Sequence, residues 1–297
     1  MNGPPKTVID QKKCSGCGLC IKVCPSSTLD LKDGKAFVKG NFSIYCGHCE
    51  AVCPEDAIKV TALDPNIFNM DEINSQSREK PTPSDLFYLM RIRHSTRVFD
   101  EDPVPITVLK DLIRVGITAP SGTNSQKWVF TLIPGRKKLV EIGEKILSFY
   151  ENLNKKAENK FYRLLSRFFY GNALIQYYKR YYETVKKGIK EWKEKKIDRL
   201  FHGAPSAIII SSKKDASCPK EDSILAASHI ILMAEALNLG TCLIGFAVEA
   251  INRDPKCQTI CGILKDETVH AFIVIGKKRI KYKKPRGRKK VLIRTID

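Results

Sequence analysis

Residues 14–25 are Cys14-Ser15-Gly16-Cys17-Gly18-Leu19-Cys20-Ile21-Lys22-Val23-Cys24-Pro25, a run whose four cysteines are separated by two, two and three residues. Thiolates two residues apart can bind three corners of one iron–sulfur cubane, whereas the fourth, before a proline, is directed away from them. Gly16 and Gly18 relieve the tight turns that this wrapping requires. The alternative is a zinc site of four cysteines, but zinc sites usually pair two C-x2-C motifs. The spacing therefore predicts cluster ligands.

A second motif, Cys46-Gly47-His48-Cys49-Glu50-Ala51-Val52-Cys53-Pro54, matches the last three cysteines of the first run. In two-cluster ferredoxins, the distant cysteine of each run binds the other cluster. The motifs therefore predict one cluster held by Cys14, Cys17, Cys20 and Cys53. The other is predicted to be held by Cys24, Cys46 and Cys49.

Ser43 occupies the position at which the second motif would have its first cysteine. A serine alkoxide is a harder and poorer ligand for iron than a thiolate. Three outcomes are open: a [3Fe-4S] cluster, a [4Fe-4S] cluster held by Ser43 or a solvent oxygen, or an incomplete site. We expect His48, between two ligands, to be solvated or to face sulfide rather than to bind iron.

Composition and charge limit the class of protein. The chain has 297 residues, 43% of them hydrophobic, and seven of its 11 cysteines lie between residues 14 and 53, which in a reducing compartment favours metal thiolates over disulfides. No apolar run approaches the ~20 residues that span a bilayer, and residues 1–5 do not resemble a secretory signal, so a cytoplasmic location is predicted. The net charge of +19 arises from residues 136–199 and 276–297.

The pattern of apolar residues predicts two domains joined by a linker. Residues 1–62 are cysteine-rich and contain a β-hairpin with an Asp33-Gly34 turn. Residues 63–83 are a proline-containing linker. Residues 84–297 alternate helices with apolar strands, which is typical of an α+β domain with a central sheet flanked by helices.

Within the second domain, we expect Ser84 to cap the first helix and Pro105 to begin the second. A long helix is predicted from Glu221 to Leu239, ended by Gly240. A basic, aromatic insertion at about 145–200 is predicted to form one or two long helices. Strands are predicted at Trp128–Ile133, Ser206–Ser211 and Val269–Ile275.

Two segments of the second domain are rich in polar and small residues, and the cations and hydroxyls of the first could hold a phosphate. They are Arg93-His94-Ser95-Thr96-Arg97-Val98-Phe99 and Ala119-Pro120-Ser121-Gly122-Thr123-Asn124-Ser125-Gln126-Lys127-Trp128. Together they resemble the FMN-dependent nitroreductase family. Segments 201–205, 239–246 and 286–288 extend the resemblance over residues 84–297, apart from the insertion. A ferredoxin-like domain ahead of this domain is a known arrangement in the family.

The resemblance implies an FMN site in an obligate homodimer. Arg93, His94, Ser95 and Arg97 are expected at the phosphate and the pyrimidine edge, and the backbone of Ile244 and Gly245 at flavin N5. The loop that would reach the FMN of the partner subunit contains Pro120, Ser121, Gly122 and Asn124. The basic tail expected at the phosphate contains Arg286 and Arg288. Lys127 stands where the family often has proline.

The implied function is an oxidoreductase in which electrons enter at the clusters, pass to FMN and reduce an electron-poor acceptor such as a nitroaromatic or a quinone. Because the flavin carries the chemistry, no catalytic protein residue is expected. The electron donor is ferredoxin or NAD(P)H, although the chain has no G-x-G-x-x-G fingerprint. The alternatives are a dehalogenase or enone reductase on the same fold, and a non-catalytic redox relay or sensor.

The basic insertion has several interpretations: a dimer-packing arm, a lid over the flavin, a membrane-surface helix, or an amphipathic segment packed on its own domain. Contact with a membrane surface is not favoured, and specific nucleic-acid binding is not supported by any motif. The basic surface would attract an acidic redox partner. Cys218, Cys242, Cys257 and Cys261 are expected to be structural.

Overall fold

The computed structural model describes residues 6–40, 42–61, 63–70 and 80–296, although not the side chains of Pro65 and 166–170. The chain forms two compact units, and each is described by itself. The first comprises Met1–Asn69 and the short segment Pro120–Gln126, and the second comprises Met70–Ala119 and Lys127–Asp297. The boundaries predicted at 62 and 83 stay predictions, since residues 71–79 lie outside the described part.

The first unit contains two pairs of short antiparallel strands. Strand β1 (Thr7–Ile9) pairs with β4 (Ile58–Val60), and β2 (Leu29–Lys32) pairs with β3 (Lys35–Val38). The β2–β3 pair is the hairpin predicted from the Asp33-Gly34 turn. Each cysteine motif ends in one short helix, α1 (Leu19–Lys22) or α2 (His48–Ala51), preceded by a left-handed glycine. The 3-10 turns are Pro65–Phe68 and Gly122–Asn124.

Gly16 fixes how the first cysteine motif packs on this hairpin. Its φ is +72°, and a Cβ at this position would lie 1.9 Å from the carbonyl oxygen of Gly34. Only glycine allows this approach without moving one of the two turns. The core beneath is small and includes two of the cysteines: Cys14, Cys20, Leu29, Ala36, Ala57 and Ile58.

The second unit is built on a four-stranded antiparallel sheet in the order β5-β6-β8-β7. Its strands are β5 (Trp128–Ile133), β6 (Ser206–Lys213), β7 (Leu239–Leu243) and β8 (Glu267–Lys277). Three strands confirm predictions. Strand β7 was not expected, because its residues were assigned to the end of a helix and the segment after it.

The sheet separates two apolar cores, as the alternation of side chains along a strand requires. Ile208 and Ile210 of β6 face α4 (Ile106–Gly116) and α9 (Pro219–Ala236). Ile209 faces the other core, with α5 (Arg136–Glu158), α10 (Gly245–Arg253) and α11 (Pro255–Ile260). Helices therefore cover both faces of the sheet, and the predicted α+β class is confirmed.

Two predicted helix ends are wrong. Helix α3 (Pro83–Ile92) is capped by Thr82 and not by Ser84, because the Thr82 hydroxyl accepts a hydrogen bond from the backbone N–H of Asp85 at 3.2 Å. Helix α9 ends at Ala236, after which Asn238 adopts a positive φ of 57°. Gly240 therefore lies inside β7 instead of ending the helix.

The insertion is divided more finely than predicted. After α5, it forms α6 (Lys160–Tyr170), α7 (Ala173–Arg180) and α8 (Tyr182–Lys195). The break after α5 occurs at Asn159, whose side chain caps α6 by accepting the N–H of Tyr162 at 3.1 Å. No helix in the described ranges is long and apolar enough to cross a bilayer.

Aromatic side chains of the insertion pack on the second unit around Tyr150 of α5. The Tyr150 hydroxyl donates to the carbonyl of Phe246 at 2.8 Å, and the two rings meet edge to face at 5.5 Å. The Tyr177 hydroxyl donates to Asn154 at 2.7 Å. Burial raises the pKa of both phenols, Tyr150 and Tyr177. The insertion thus packs against the segment that carries Ile244 and Gly245.

Replacing Gly240 with alanine should destabilise the second unit. The added Cβ would lie 2.5–2.7 Å from the side chain of Thr96. Overpacking of this kind costs about 1–3 kcal/mol. Thermal unfolding followed by far-UV circular dichroism should show a lower midpoint for Gly240→Ala. Gly188→Ala in α8, whose Cβ would lie 3.8 Å from the Cβ of Arg199, is the control and should not lower the midpoint. Equal midpoints for the two variants would contradict the close approach.

Candidate functional site

A cavity in the first unit is lined by four cysteines, three from the first motif and one from the second. These are Cys14, Cys17, Cys20 and Cys53, and the cavity has an empty volume of about 310 Å³, part of it open to solvent. Cys53 lies with the first motif although it comes 33 positions after Cys20 in the sequence. The structure therefore brings together the four residues predicted for one cluster.

Backbone amides point at two of these sulfur atoms. The N–H of Ala36 donates to Cys14 Sγ at 3.4 Å, and the N–H of Ala57 donates to Cys53 Sγ at 3.3 Å. Such hydrogen bonds stabilise the thiolate form, which is the form that binds iron. Burial raises the pKa of the Cys20 thiol. A bound cation would offset that cost, because it favours the charged form.

A second cavity of similar size, about 320 Å³, is lined by Cys24, Cys46 and Cys49. Ser43 contributes to the same wall. Cys24 belongs to the first motif and the other two cysteines to the second, as the exchange of distant ligands predicts. The structure thus brings together the second predicted ligand set, with Ser43 beside it.

The thiols of the second cavity have polar neighbours. Cys24 Sγ lies 3.5 Å from the Thr28 hydroxyl, and Cys46 Sγ lies 3.4 Å from His48 Nδ1. Burial alone would raise the pKa of Cys24, but hydrogen bonds from Thr28 and the following backbone outweigh it and lower that pKa. Burial raises the pKa of Cys49. His48 therefore lies next to a thiol sulfur, and its role beside a cluster stays a prediction.

Both cavities are lined by cysteines of both motifs. Among the residues that the structure describes, no three His, Cys, Asp or Glu side chains converge on a point where one ion would bind. A zinc ion requires its ligands to converge within about 2.3 Å of one centre. A cubane, in contrast, needs ligands at its separate corners.

In the second unit, the segment after α3 runs beside the edge strand β7. Ser95 and Thr241 form a parallel bridge, and the N–H of Thr96 donates to the carbonyl of Thr241 at 2.9 Å. This pairing places the segment Arg93–Arg97 along the strand that leads to Ile244 and Gly245. A Cβ on Gly245 would meet no described atom within 4 Å, so there is free space at this backbone.

Three arginines predicted at the phosphate are close enough to repel one another. The pKa of Arg93 lies below its usual value, first because the side chain is half-buried and then because Arg286 and Arg288 are near, while Glu235 acts in the opposite direction. Glu235 is itself buried and paired with Lys278 at 2.5 Å. The three arginines thus form a cationic group that Glu235 partly offsets, a setting that suits a phosphate dianion.

The other two predicted residues of this segment have different neighbours. His94 is buried, contacts the carbonyl of Ile92, and stacks on Tyr282 with ring centres 4.1 Å apart. It therefore anchors the tail that carries Arg286 and Arg288. Arg97 is exposed, and its guanidinium donates to the carbonyl of Ser95 at 3.4 Å.

Sequence reasoning missed three residues at this site: Tyr282, Glu235 and Thr96. The Thr96 hydroxyl is buried and, within the described part of the chain, has no hydrogen-bond partner. A buried hydroxyl is normally paired, so this atom fits a site that is completed by a ligand. Its position within the Arg93–Phe99 segment was the only available sequence signal.

The predicted flavin loop belongs to the first unit. Pro120, Ser121, Gly122 and Asn124 are grouped there with the cysteine motifs. The Asn124 amide donates to the carbonyls of Ile44 and Tyr45, at 3.2 and 3.0 Å, and its oxygen accepts from Gln126 at 2.9 Å. The structure therefore does not group this loop with Arg93. Its contact with a flavin stays a prediction.

The two thiol-lined cavities are typical of iron–sulfur proteins, which is the class that the fold and the site define. Residues 90–277 match the nitroreductase family, and residues 13–58 match a 4Fe-4S dicluster domain. The chain belongs to the nitroreductase family and carries a ferredoxin-like domain ahead of the family domain.

Curated relatives match parts of the chain. The iodotyrosine deiodinase of Thermotoga neapolitana is 24% identical over 160 residues, which cover 52% of this chain and 71% of that protein. That of Nematostella vectensis is 30% identical over 73 residues, covering 24% and 28%. The chain spans only 26–29% of three such deiodinases. An uncharacterised ferredoxin of Methanocaldococcus jannaschii is 38% identical over 55 residues, covering 18% and 89%.

Solved structures resemble the second unit in fold. A nitroreductase with bound FMN from Bacteroides fragilis has a TM-score of 0.52 at 19% identity, covering 71% of this chain and 99% of that one. A nitroreductase with bound FMN from Desulfitobacterium hafniense has a TM-score of 0.50 at 18% identity, covering 71% and 98%. At this identity, the likeness concerns the fold.

Replacing Cys53 should damage the same cluster as replacing Cys14, although the two cysteines belong to different motifs. We expect Cys53→Ala and Cys14→Ala to give the same change in the electron paramagnetic resonance (EPR) spectrum of the reduced protein, and Cys24→Ala and Cys49→Ala to share a different one. Cys218→Ala, a half-buried thiol of the second unit, should leave the iron content unchanged. A Cys53→Ala spectrum that matches Cys49→Ala would contradict the exchange of ligands.

Proposed function

We propose that the protein is an oxidoreductase that passes electrons from two iron–sulfur clusters to FMN and on to an electron-poor small molecule. The observation that carries the proposal is the presence, in one chain of the nitroreductase family, of two thiol-lined cavities and of an arginine group beside β7. The first cavity would hold a [4Fe-4S] cluster. The second, with Ser43 on its wall, would hold a [4Fe-4S] or a [3Fe-4S] cluster.

The residues of the second unit fit FMN. Arg93, Arg286 and Arg288 would bind its phosphate, because a group of neighbouring cations is stabilised by a dianion. Ser95 and the buried hydroxyl of Thr96 are hydrogen-bonding groups on the same segment. The open space beside Gly245 would admit a planar ring next to the backbone of Ile244 and Gly245. Two similar structures contain bound FMN, which supports the assignment.

When bound, FMN would supply a centre that collects single electrons from the clusters and delivers two to an acceptor. The protein would position and tune this centre. The Arg97 cation would stabilise negative charge at the pyrimidine edge. His94, held by Tyr282, would keep the basic tail in place over the phosphate.

The assembly and partners are part of the same proposal. The protein would act as a cytoplasmic homodimer with FMN at the interface, where the loop carrying Pro120, Ser121, Gly122 and Asn124 reaches the partner subunit's cofactor. Ferredoxin or NAD(P)H would be the external donor. The positive charge of +19 would raise the encounter rate with an acidic donor.

Reductive dehalogenation is a second candidate function. Similarity to the Thermotoga neapolitana iodotyrosine deiodinase extends over 52% of the chain, which favours a halogenated phenol as a competing class of acceptor. A non-catalytic relay or sensor is the remaining alternative. An enzyme releases product repeatedly, whereas a sensor shows only stoichiometric oxidation of its cofactor.

Turnover tests these functions directly. We expect the protein loaded with FMN and clusters, supplied anaerobically with reduced ferredoxin or NAD(P)H, to reduce a nitroaromatic over many cycles. Preferential turnover of 3-iodotyrosine would favour the dehalogenase. One equivalent of product per protein with either acceptor would indicate a sensor. A purified protein with zinc and no iron would contradict the proposal itself.

Replacing Arg93 with leucine should weaken FMN binding about ten- to a hundredfold, since a hydrogen bond to a charged group contributes about 1.5–3 kcal/mol. Flavin fluorescence during titration of the apoprotein measures the affinity. Arg91→Leu is the matched control, because Arg91 lies two residues earlier, is exposed and contacts Phe87. Equal affinities for the two variants would show that Arg93 does not bind the phosphate.

A further inference from the structure

The second cavity has a hydroxyl at the position of a missing thiolate. Ser43 precedes Cys46 by three residues, as Cys14 precedes Cys17. In the first cavity, Cys14 lines the wall together with the later cysteines of its motif. In the second, Ser43 lines the wall together with Cys46 and Cys49. Ser43 thus corresponds to Cys14 in two ways. It has the same spacing in its motif, and it lines the second cavity as Cys14 lines the first.

The Ser43 hydroxyl has a local hydrogen bond from the residue two positions later in the chain. Its Oγ accepts the backbone N–H of Tyr45 at 3.1 Å. In the first cavity, backbone N–H groups donate to Cys14 and Cys53 at 3.4 and 3.3 Å. A hydrogen bond from an N–H group stabilises an anionic acceptor more than a neutral one. The bond from Tyr45 would therefore help to stabilise negative charge on the Ser43 oxygen once iron is bound.

The backbone that follows Ser43 is also held by hydrogen bonds from a distant side chain. The carbonyls of Ile44 and Tyr45 both accept hydrogen bonds from the Asn124 amide. Tyr45 has a positive φ of 51°, which is uncommon for a residue with a side chain and is maintained by its surroundings. These contacts fix the backbone on both sides of Ile44. Ser43 is therefore kept at the cavity wall.

We propose that Ser43 Oγ, as an alkoxide, is the fourth protein ligand of a [4Fe-4S] cluster in the second cavity. The proposal rests on the proposed function, which places a cluster there. As the Fe–O bond forms, the O–H bond breaks and its proton passes to solvent, and no electron is transferred. Three thiolates and one alkoxide hold this cluster, whereas four thiolates hold the other.

This ligand makes the two clusters inequivalent. An alkoxide is a harder donor than a thiolate and stabilises ferric iron more strongly. Since ligand type is one of the factors that set the reduction potential, the alkoxide lowers the potential of the second cluster. Replacing Ser43 with cysteine should raise the reduction potential of the second cluster and leave that of the first cluster unchanged.

The test uses the full chain with clusters reconstituted under anaerobic conditions, and the readouts are iron content, Mössbauer and EPR spectra, and a redox titration of each cluster. The wild type should contain two four-iron clusters, about eight iron atoms per chain. Ser43→Ala should lose about one iron and show the EPR signal of an oxidised three-iron cluster. Ser43→Cys should keep all the iron and raise only the second potential. Ser26→Ala, a hydroxyl on the same cavity wall, is the matched control and should resemble the wild type.

A three-iron cluster in the wild type would overturn the proposal, and so would a four-iron cluster in Ser43→Ala that matches the wild type. If Ser43→Ala loses the second cluster completely, the Ser43→Cys titration decides: a shift confined to the second potential supports the ligand, and an unchanged potential overturns it. The spectrum of the first cluster reports that each variant is folded. A wild type with only the first cluster would instead contradict the proposed function.

Discussion

The first unit depends on cysteine side chains that lie in its core and are also its proposed cluster ligands. Its buried apolar residues are few, and two of them, Cys14 and Cys20, line a cavity. A domain of about 60 residues has little apolar area with which to offset its conformational entropy. Metal binding can supply the missing stability, since the free energy of binding becomes free energy of folding. With clusters bound as proposed, the exchange of Cys24 and Cys53 between the motifs would tie the two halves of the unit to each other.

The second unit depends on a close approach at one edge of its sheet. Thr96 packs directly over Gly240 of β7, and the backbone pairing between Thr96 and Thr241 holds the Arg93–Arg97 segment against that edge. The same strand continues to Ile244 and Gly245. This edge of the sheet thus positions both the Arg93–Arg97 segment and the open backbone at Gly245. The insertion packs against the same region, because Tyr150 contacts Phe246.

Much of this organisation could be predicted because it is encoded locally. Cysteine spacing determines which thiolates can share a cluster, an Asp-Gly pair determines a hairpin turn, and apolar runs such as Ser206–Ser211 indicate buried strands. Gly240 was misjudged because its role comes from a contact with Thr96, 144 residues earlier in the chain. Such long-range contacts leave no periodic trace in the sequence. The same holds for the stacking of His94 on Tyr282 and for the bonds from Asn124 to Ile44 and Tyr45.

The membership of Pro120–Gln126 in the first unit means that the chain enters this unit twice. Cutting the protein within residues 63–83 would not release the whole first unit. The carbonyls of Ile44 and Tyr45 would lose the hydrogen bonds that the Asn124 amide donates to them. The ferredoxin-like part is thus not a detachable module joined by one tether, and an exchange of this part between proteins would have to carry seven residues of the neighbouring domain with it.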